Sequence, residues 1–314
     1  MKIALRKALH DSLGLPEDQL NRLILRSPYS YKVYTIPKRS GGLRVIAQPA
    51  KETKFLQHWL MANVFRNLPV HECATAYQAG SSIKKNAELH KNNSYLVKLD
   101  FKNFFPSISA RDLISHMRRH LDGSLDEEAQ RDIARISCIR LPDAPGLCLS
   151  IGAPSSPMLS NSVMFEFDTA VHGWCNERGV RYSRYADDLS FSTNERGASG
   201  DIKEYVLSVV ERLEYPRLSL NDKKSVFLSK KHQRRITGLI INNENQISLG
   251  RDRKREISAL IHKFSVGALP DSEIFRLQGL LGFARDVEPR FFVSMSKKYT
   301  SDTISNILST RKKP

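Results

Sequence analysis

Cysteine is scarce in this sequence: four among 314 residues, Cys73, Cys138, Cys148 and Cys175, with no C-x-x-C pair. That spacing offers neither a disulfide framework nor a thiolate cage for structural zinc, and it predicts buried, reduced thiols. Long hydrophobic runs are missing too. No apolar stretch approaches the ~20 residues that cross a bilayer. The opening segment, MKIALRKALHDSLGLPEDQL, is basic, with only short apolar stretches and no small-residue cleavage site. No secretory leader is expected, and the expected location is cytoplasmic, away from membranes. There is no internal repeat and no low-complexity linker. Acidic charge is in deficit, with 33 Asp and Glu against 49 Lys and Arg and a formal net charge of +16. An excess of that size points to a polyanionic partner, and nucleic acid is the stronger expectation than a membrane surface.

The patterning that is present suits a globular chain of mixed helices and strands. Residues 1–28 read as helical, with Pro28 as a break. YKVYTIPKRSGGLRVIAQP alternates around Gly41-Gly42, a hairpin signature. The next segment places Phe55, Trp59, Leu60 and Val64 at helical spacing. SYLVKLDF is a β-rich run that ends at Asp100, and a helix is expected from Ser109 to His120. Ser124, three residues before Glu127, has the pattern of a capping box for the following helix. Short strands are expected near RLSLN and RRITGLIIN, then helices over Arg251–Phe264, Asp271–Ala284 and Pro289–Tyr299. This order predicts an α+β fold with a small helical C-terminal unit. His116 and His120 have the spacing of helical metal ligands. With Arg118 and Arg119 between them, a solvated basic helix face is the better expectation. Between Arg217 and Lys263 there are 12 basic residues and four acidic ones. That band, which includes Arg251, Arg253, Lys254 and Arg255, is the expected phosphate-binding surface.

The chemistry centres on RYSRYADDLSF, Arg181 to Phe191, where Asp187 and Asp188 interrupt an alternating strand pattern. Adjacent carboxylates repel and raise each other's pKa. Arg184 is the only nearby neutraliser in sequence, so a solution cation is the natural counterion. Asp100 ends a separate β run and can neighbour the pair in a sheet. Mg²⁺ takes hard oxygen ligands, commonly one or two carboxylates plus substrate phosphates. Two such ions ~3.5–4 Å apart stabilise the attacking and leaving oxygens of phosphoryl transfer.

YADD in a hairpin, LDFKNFFPSI before it and GAPSSPMLSN between them resemble the motifs of reverse transcriptases, in that family's order. The resemblance extends from about Tyr29 to the C-terminal helices. NAELH (Asn86 to His90) resembles the N-A-x-x-H signature of bacterial retron reverse transcriptases, and ITG (Ile236 to Gly238) resembles their V-T-G. The resemblance implies a right-hand polymerase fold: fingers and palm with an antiparallel sheet over residues 1–242 and a helical thumb over 243–314. It implies Asp100, Asp187 and Asp188 as ligands of two Mg²⁺ ions. Arg44 would contact the incoming triphosphate, assisted by Lys38, and Phe105 would be the steric gate that favours dNTPs. Gly152, Ala153 and Pro154 would shape the nucleotide pocket. The position before Gly152, commonly Gln in the family, is Ile151 here, which removes a polar side chain beside the nucleotide sugar. Lys224, with Lys223 the alternative, would protonate the leaving pyrophosphate. Asn86, His90, Thr237 and Gly238 would serve RNA recognition.

The resemblance further implies that the chain copies part of its own structured non-coding RNA into single-stranded DNA. Priming from a guanosine 2′-OH would give a branched RNA–DNA product. Only ~65 residues follow the last expected strand, below the size of a typical domain. Template trimming is therefore expected from a cellular ribonuclease H, and an antiphage role from a separate effector protein. Two alternatives are a reverse transcriptase of the group II intron or diversity-generating type and a catalytically inactive RNA-binding scaffold. NAELH and ITG argue against the first, and the intact Asp100, Asp187 and Asp188 against the second.

Overall fold

The computed structural model describes residues 4–38, 41–121, 123–142 and 144–311. Helices α1 (Leu5–Leu13) and α2 (Glu17–Arg26) precede the hairpin of β1 (Tyr31–Pro37) and β2 (Leu43–Pro49). The two strands pair antiparallel, from Tyr31 opposite Pro49 to Pro37 opposite Leu43. Next come α3 (Lys51–Asn63), α4 (Ile83–Glu88), β3 (Tyr95–Asp100), α5 (Ala110–His120) and α6 (Glu127–Ser137). The short pair β4 (Ile139–Arg140) and β5 (Leu147–Cys148) leads to α7 (Ser156–Val163) and α8 (Phe165–Glu177). The hairpin β6 (Arg181–Tyr185) and β7 (Asp188–Thr193) is followed by α9 (Ser199–Arg212), β8 (Val226–Ser229), β9 (Arg234–Ile236), β10 (Leu239–Ile241) and β11 (Ile247–Ser248). Helices α10 (Arg251–Ser265), α11 (Asp271–Val287), α12 (Pro289–Tyr299) and α13 (Ser301–Ser309) close the chain.

The chain divides into two units, Met1–Ser81 with Val97–Phe227, and Ser82–Leu96 with Leu228–Pro314. The break at Phe227 falls earlier than the sequence-based boundary at 242. The second unit also borrows α4 from the middle of the chain. In the first unit a sheet of order β6-β7-β3-β8 carries the catalytic candidates. Its core gathers Val97, Leu99, Phe101, Phe104, Phe167, Leu189 and Phe191. In the second unit β11-β10-β9 and the last helices bury Ile236, Leu239, Ile257, Leu277 and Leu281 together with Ala87 of α4.

Several local expectations need correction. On α3 and the residue after it, Leu60 and Val64 are buried and Trp59 packs against the core as expected, but Phe55 is exposed and Leu56 is buried in its place, with Thr53 and Gln57. Gln57 is buried because it donates to the Ile136 carbonyl at 2.8 Å and to the Tyr31 hydroxyl at 3.0 Å. Helix α6 is capped by Asp126, which accepts from Ala129 N, and not by Ser124. The capping box stands instead at α5, where Ser109 and Asp112 bond reciprocally. RLSLN supplies only an isolated bridge, Leu220 to Phe101. His116 is buried, 2.6 Å from Ser162 Oγ, so that face of α5 is not solvated. The cysteines behave as expected. All four are buried and unbonded, and burial pushes each thiol up. Among the described residues, no helix is long and apolar enough to cross a membrane.

Candidate active site

Asp187 and Asp188 sit at the tip of the β6–β7 hairpin, where Tyr185 pairs with Asp188. The turn forces Ala186 into the left-handed region, with φ at 58°. Asp100 ends β3 beside it, because Phe101 N donates to the Asp187 carbonyl at 3.2 Å. On its other side Asp100 is held by the segment before β8: Asn221 N donates to its carbonyl at 2.7 Å and Lys102 N to the Ser219 carbonyl at 2.8 Å. Three carboxylates from two distant stretches are thus gathered at one end of the sheet.

Their electrostatics follow from that crowding. Burial raises the Asp187 pKa, and the Asp100 charge adds to it. Burial pushes Asp188 up to about 6; Lys98 opposes the shift, while Asp187 and Asp100 reinforce it. Arg184, the neutraliser suggested by sequence, is committed elsewhere, to Asp168. The cation on the site is Lys224, whose Nζ lies 2.9 and 3.0 Å from the two oxygens of Asp100. Burial pulls the Lys224 ammonium down, but the bond to Asp100 outweighs it and the net shift is upward. Lys223 is exposed.

Among the described residues, no group of three or more His, Cys, Asp or Glu side chains is arranged as a metal cage. The donor set nevertheless fits a hard divalent ion. It offers carboxylate oxygens whose mutual repulsion a cation relieves, and Mg²⁺ commonly completes its shell with water and substrate phosphates.

The nucleotide-pocket candidates lie in the same unit. Arg44 is exposed on β2, and its charge stabilises ionised Asp187. Lys38 is exposed at the hairpin turn, where its N donates to the Gly42 carbonyl at 2.9 Å. Gly152 has φ at 120°, and a Cβ there would meet the Ala47 carbonyl oxygen at 2.9 Å. Only glycine lets this loop lie so close to β2, and Ala47 N secures it by donating to the Ile151 carbonyl at 2.8 Å. Beyond Gly152, Ala153 is buried and Pro154 half-buried. Phe104 belongs to the core, whereas Phe105 is half-buried against it.

The recognition candidates lie in the second unit and prove to be neighbours. Thr237 and Gly238 are the two central residues of the β9–β10 turn, with φ at 46° and 84°, the signature of a tight two-residue hairpin. Thr237 Oγ1 donates to the Ile83 carbonyl at 3.1 Å, which fastens that turn to α4. Asn86 and His90 are buried, so their side chains are withdrawn from any RNA that touches the surface. On α10, Arg251 and Arg255 are exposed. Lys254 is engaged by Glu288 at 2.5 Å, and Arg253 lies over the Phe283 ring.

One network is not signalled by any of the sequence motifs. Asp168, Asn161 and Tyr182 surround the Arg184 guanidinium in the core of the first unit. A charged residue in the middle of a strand buried on both sides was the available clue.

Comparison with known proteins agrees with this geometry. Residues 36–241 match the family described as Reverse transcriptase (RNA-dependent DNA polymerase). Retron Ec83 reverse transcriptase of Escherichia coli is 42% identical over 281 residues, covering 88% of this chain and 89% of the relative. Retron Ec73 reverse transcriptase of Escherichia coli is 34% identical over 303 residues, covering 93% and 94%. The telomerase of Candida albicans, solved with a fragment of telomeric RNA, superposes with a TM-score of 0.52 at 12% identity, covering 88% of this chain and 59% of that one. That likeness concerns the right-hand polymerase fold alone. The chain therefore belongs to the bacterial retron reverse transcriptases and is an RNA-directed DNA polymerase.

Proposed function

We propose that this polymerase copies part of its own structured non-coding RNA into single-stranded DNA. Synthesis starts from a guanosine 2′-OH of that RNA and yields a branched RNA–DNA molecule. A cellular ribonuclease H trims the template, and a separate effector protein works with the product in antiphage defence. The observation that supports this reading is that Thr237 of ITG bonds the carbonyl of Ile83 in α4, the helix on which NAELH begins, and that Ala87 and Ile236 share one core. The two therefore share one substructure, in which Asn86 and His90 are buried and would act on RNA through the surface they support.

In the chemical step, Asp100, Asp187 and Asp188 would hold two Mg²⁺ ions, which when bound would supply electrostatic stabilisation of the attacking and leaving oxygens. Arg44, assisted by Lys38, orients the triphosphate through its forked donors. Lys224 carries a proton at Nζ beside Asp100 and supplies it to the leaving pyrophosphate. The ring of Phe105, half free of the core, meets the sugar 2′ position and disfavours ribonucleotides. Gly152 keeps the pocket loop against β2.

Sequencing the nucleic acid that co-purifies with the protein tests the RNA assignment. One structured RNA joined through a 2′-linkage to DNA is expected, and a heterogeneous RNA population without branches would overturn it. For the chemistry, Asp187→Asn with Asp188→Asn should abolish dNTP incorporation while RNA binding persists, because amides are poor ligands for hard cations. Incorporation at the wild-type rate removes the pair from the mechanism. Phe105→Val should lower the preference for dNTP over rNTP. An unchanged ratio would place the gate elsewhere.

A further inference from the structure

Arg184 stands three residues before Asp187 in the strand that enters the catalytic turn, and both it and Asp168 are fully buried. Its side chain uses every donor it has. Nε donates to Asp168 Oδ1 at 2.9 Å and Oδ2 at 3.1 Å, and Nη2 to Oδ2 at 2.5 Å. Nη1 donates to Asn161 Oδ1 at 3.1 Å and to the Ala186 carbonyl at 3.2 Å, and Nη2 also reaches the Asn161 carbonyl at 3.4 Å. The network extends outward. Tyr182 donates its hydroxyl to Asp168 Oδ1 at 2.8 Å, and Asn161 Nδ2 donates to the Ala76 carbonyl at 2.7 Å.

The main chain of Arg184 grips the same neighbouring segment. Its N donates to the Cys73 carbonyl at 2.8 Å, and its carbonyl accepts from Thr75 N at 2.8 Å and Thr75 Oγ1 at 3.1 Å. Two residues in left-handed backbone, Ala186 at φ 58° and Tyr77 at φ 60°, flank this hub. Neither is glycine, so each conformation persists only where its surroundings impose it. For Ala186 the imposing bond is on view, Arg184 Nη1 on its carbonyl. For Tyr77 it is the bond from Asn161 to the carbonyl of the preceding residue.

An ordinary buried ion pair would be satisfied by Asp168 alone. Here the guanidinium fork divides, one edge on the carboxylate and one tip on the backbone immediately before the catalytic aspartates. We propose that Arg184, anchored by Asp168 and Asn161, is a positioning residue that fixes the Ala186–Asp187 backbone and so the direction of the catalytic carboxylates. It touches no substrate. Lysine cannot replace it, because three donors on one nitrogen cannot span Asp168, Asn161 and Ala186 together.

The test is steady-state dNTP incorporation on an annealed primer–template, at a temperature where circular dichroism shows each variant folded. Asn161→Ala keeps the ion pair and the Nη1 donor to Ala186, but removes the Asn161 Oδ1 that anchors Nη1 and the tie to Ala76. We expect kcat to fall about 10-fold, with KM for dNTP and primer–template affinity within about twofold of wild type. Arg184→Lys should lose about 100-fold in kcat with the same unchanged KM, the scale expected for a reacting group displaced by about 1 Å. The double variant Arg184→Gln with Asp168→Asn replaces the ions by a neutral pair. Its unfolding midpoint should recover relative to Arg184→Gln alone while its kcat stays low, since the amide does not reach Ala186. Wild-type kcat in Asn161→Ala, or kcat that recovers with the midpoint in the double variant, would overturn the proposal. If an Arg184 variant does not fold, Asn161→Ala decides alone.

Discussion

Among the described residues, Arg184 in the first unit and Arg234 in the second are the two largest side chains withdrawn from solvent, and they are accommodated in opposite ways. Arg184 meets a carboxylate; burial alone would pull its pKa down, but Asp168 more than reverses this. Arg234 meets only neutral oxygens: the Asn93 carbonyl, the Asn242 carbonyl at 2.9 Å and Asn245 Oδ1 at 3.3 Å. Burial leaves its guanidinium below the usual arginine range. The two therefore do different work. Arg184 carries charge balance and sets a backbone turn beside the candidate catalytic acids. Arg234 ties the chain just before β3 to the β10–β11 connection, a link between backbone segments.

The difference predicts unequal costs of removal. Arg184→Met leaves Asp168 buried without its ion partner, which should cost about 3–5 kcal/mol in urea unfolding. Converting Asp168 to Leu in the same chain should return most of that loss, because two apolar side chains leave no stranded charge. Arg234→Met strands only carbonyls and an amide, so about 1–3 kcal/mol is expected. Equal losses at the two positions would show that the carboxylate is not what separates them.

His116 adds a third buried group, one that stays neutral. Burial lowers its pKa to about 3, with His120 and Arg119 adding to the shift. An unfolded histidine titrates near 6.5, so the contribution is fully present above that pH and is lost as pH falls towards the folded value. Between pH 7 and pH 5 it should amount to about 2 kcal/mol. Unfolding curves at the two pH values should therefore lie closer together for His116→Gln than for the wild type. A slope as steep in the variant would assign the pH dependence to other groups.

The same contrast explains what could be read from the sequence. The hairpin turn at Asp187 and Asp188 was legible because its acids and the strands that hold them lie within a few residues of one another. Asp100 was legible because a β run ends on it. The Arg184 hub was not: its partners Asn161 and Asp168 stand 23 and 16 residues away on two helices, and no periodicity joins them. Asn86 and His90 were found as a signature, but not their burial. A motif reports that residues matter without saying whether they face RNA or the core, and here both are buried. Phe55 illustrates the converse failure. Its spacing fits a helix face, yet it is exposed while Gln57 on the same helix is buried, its amide bonded to Tyr31 and Ile136.

The smallest expected effect concerns the hydrogen bond from Thr237 to Ile83, the joint between the two retron signatures. Thr237→Ala removes one neutral, half-buried bond and should cost about 1 kcal/mol of stability. Because Thr237 already occupies a left-handed position next to Gly238, the hairpin turn itself should survive. What should change is the placement of α4 against β9–β10, and with it the surface on which structured RNA is read by shape, 2′-hydroxyls and unpaired bases. Primed synthesis on the cognate RNA should fall several-fold, while extension of a generic annealed primer stays near wild type. Thr237→Ser, which keeps the hydroxyl, should restore the cognate reaction. Equal losses on both substrates would mean that the joint supports the polymerase as a whole and has no part in choosing its RNA.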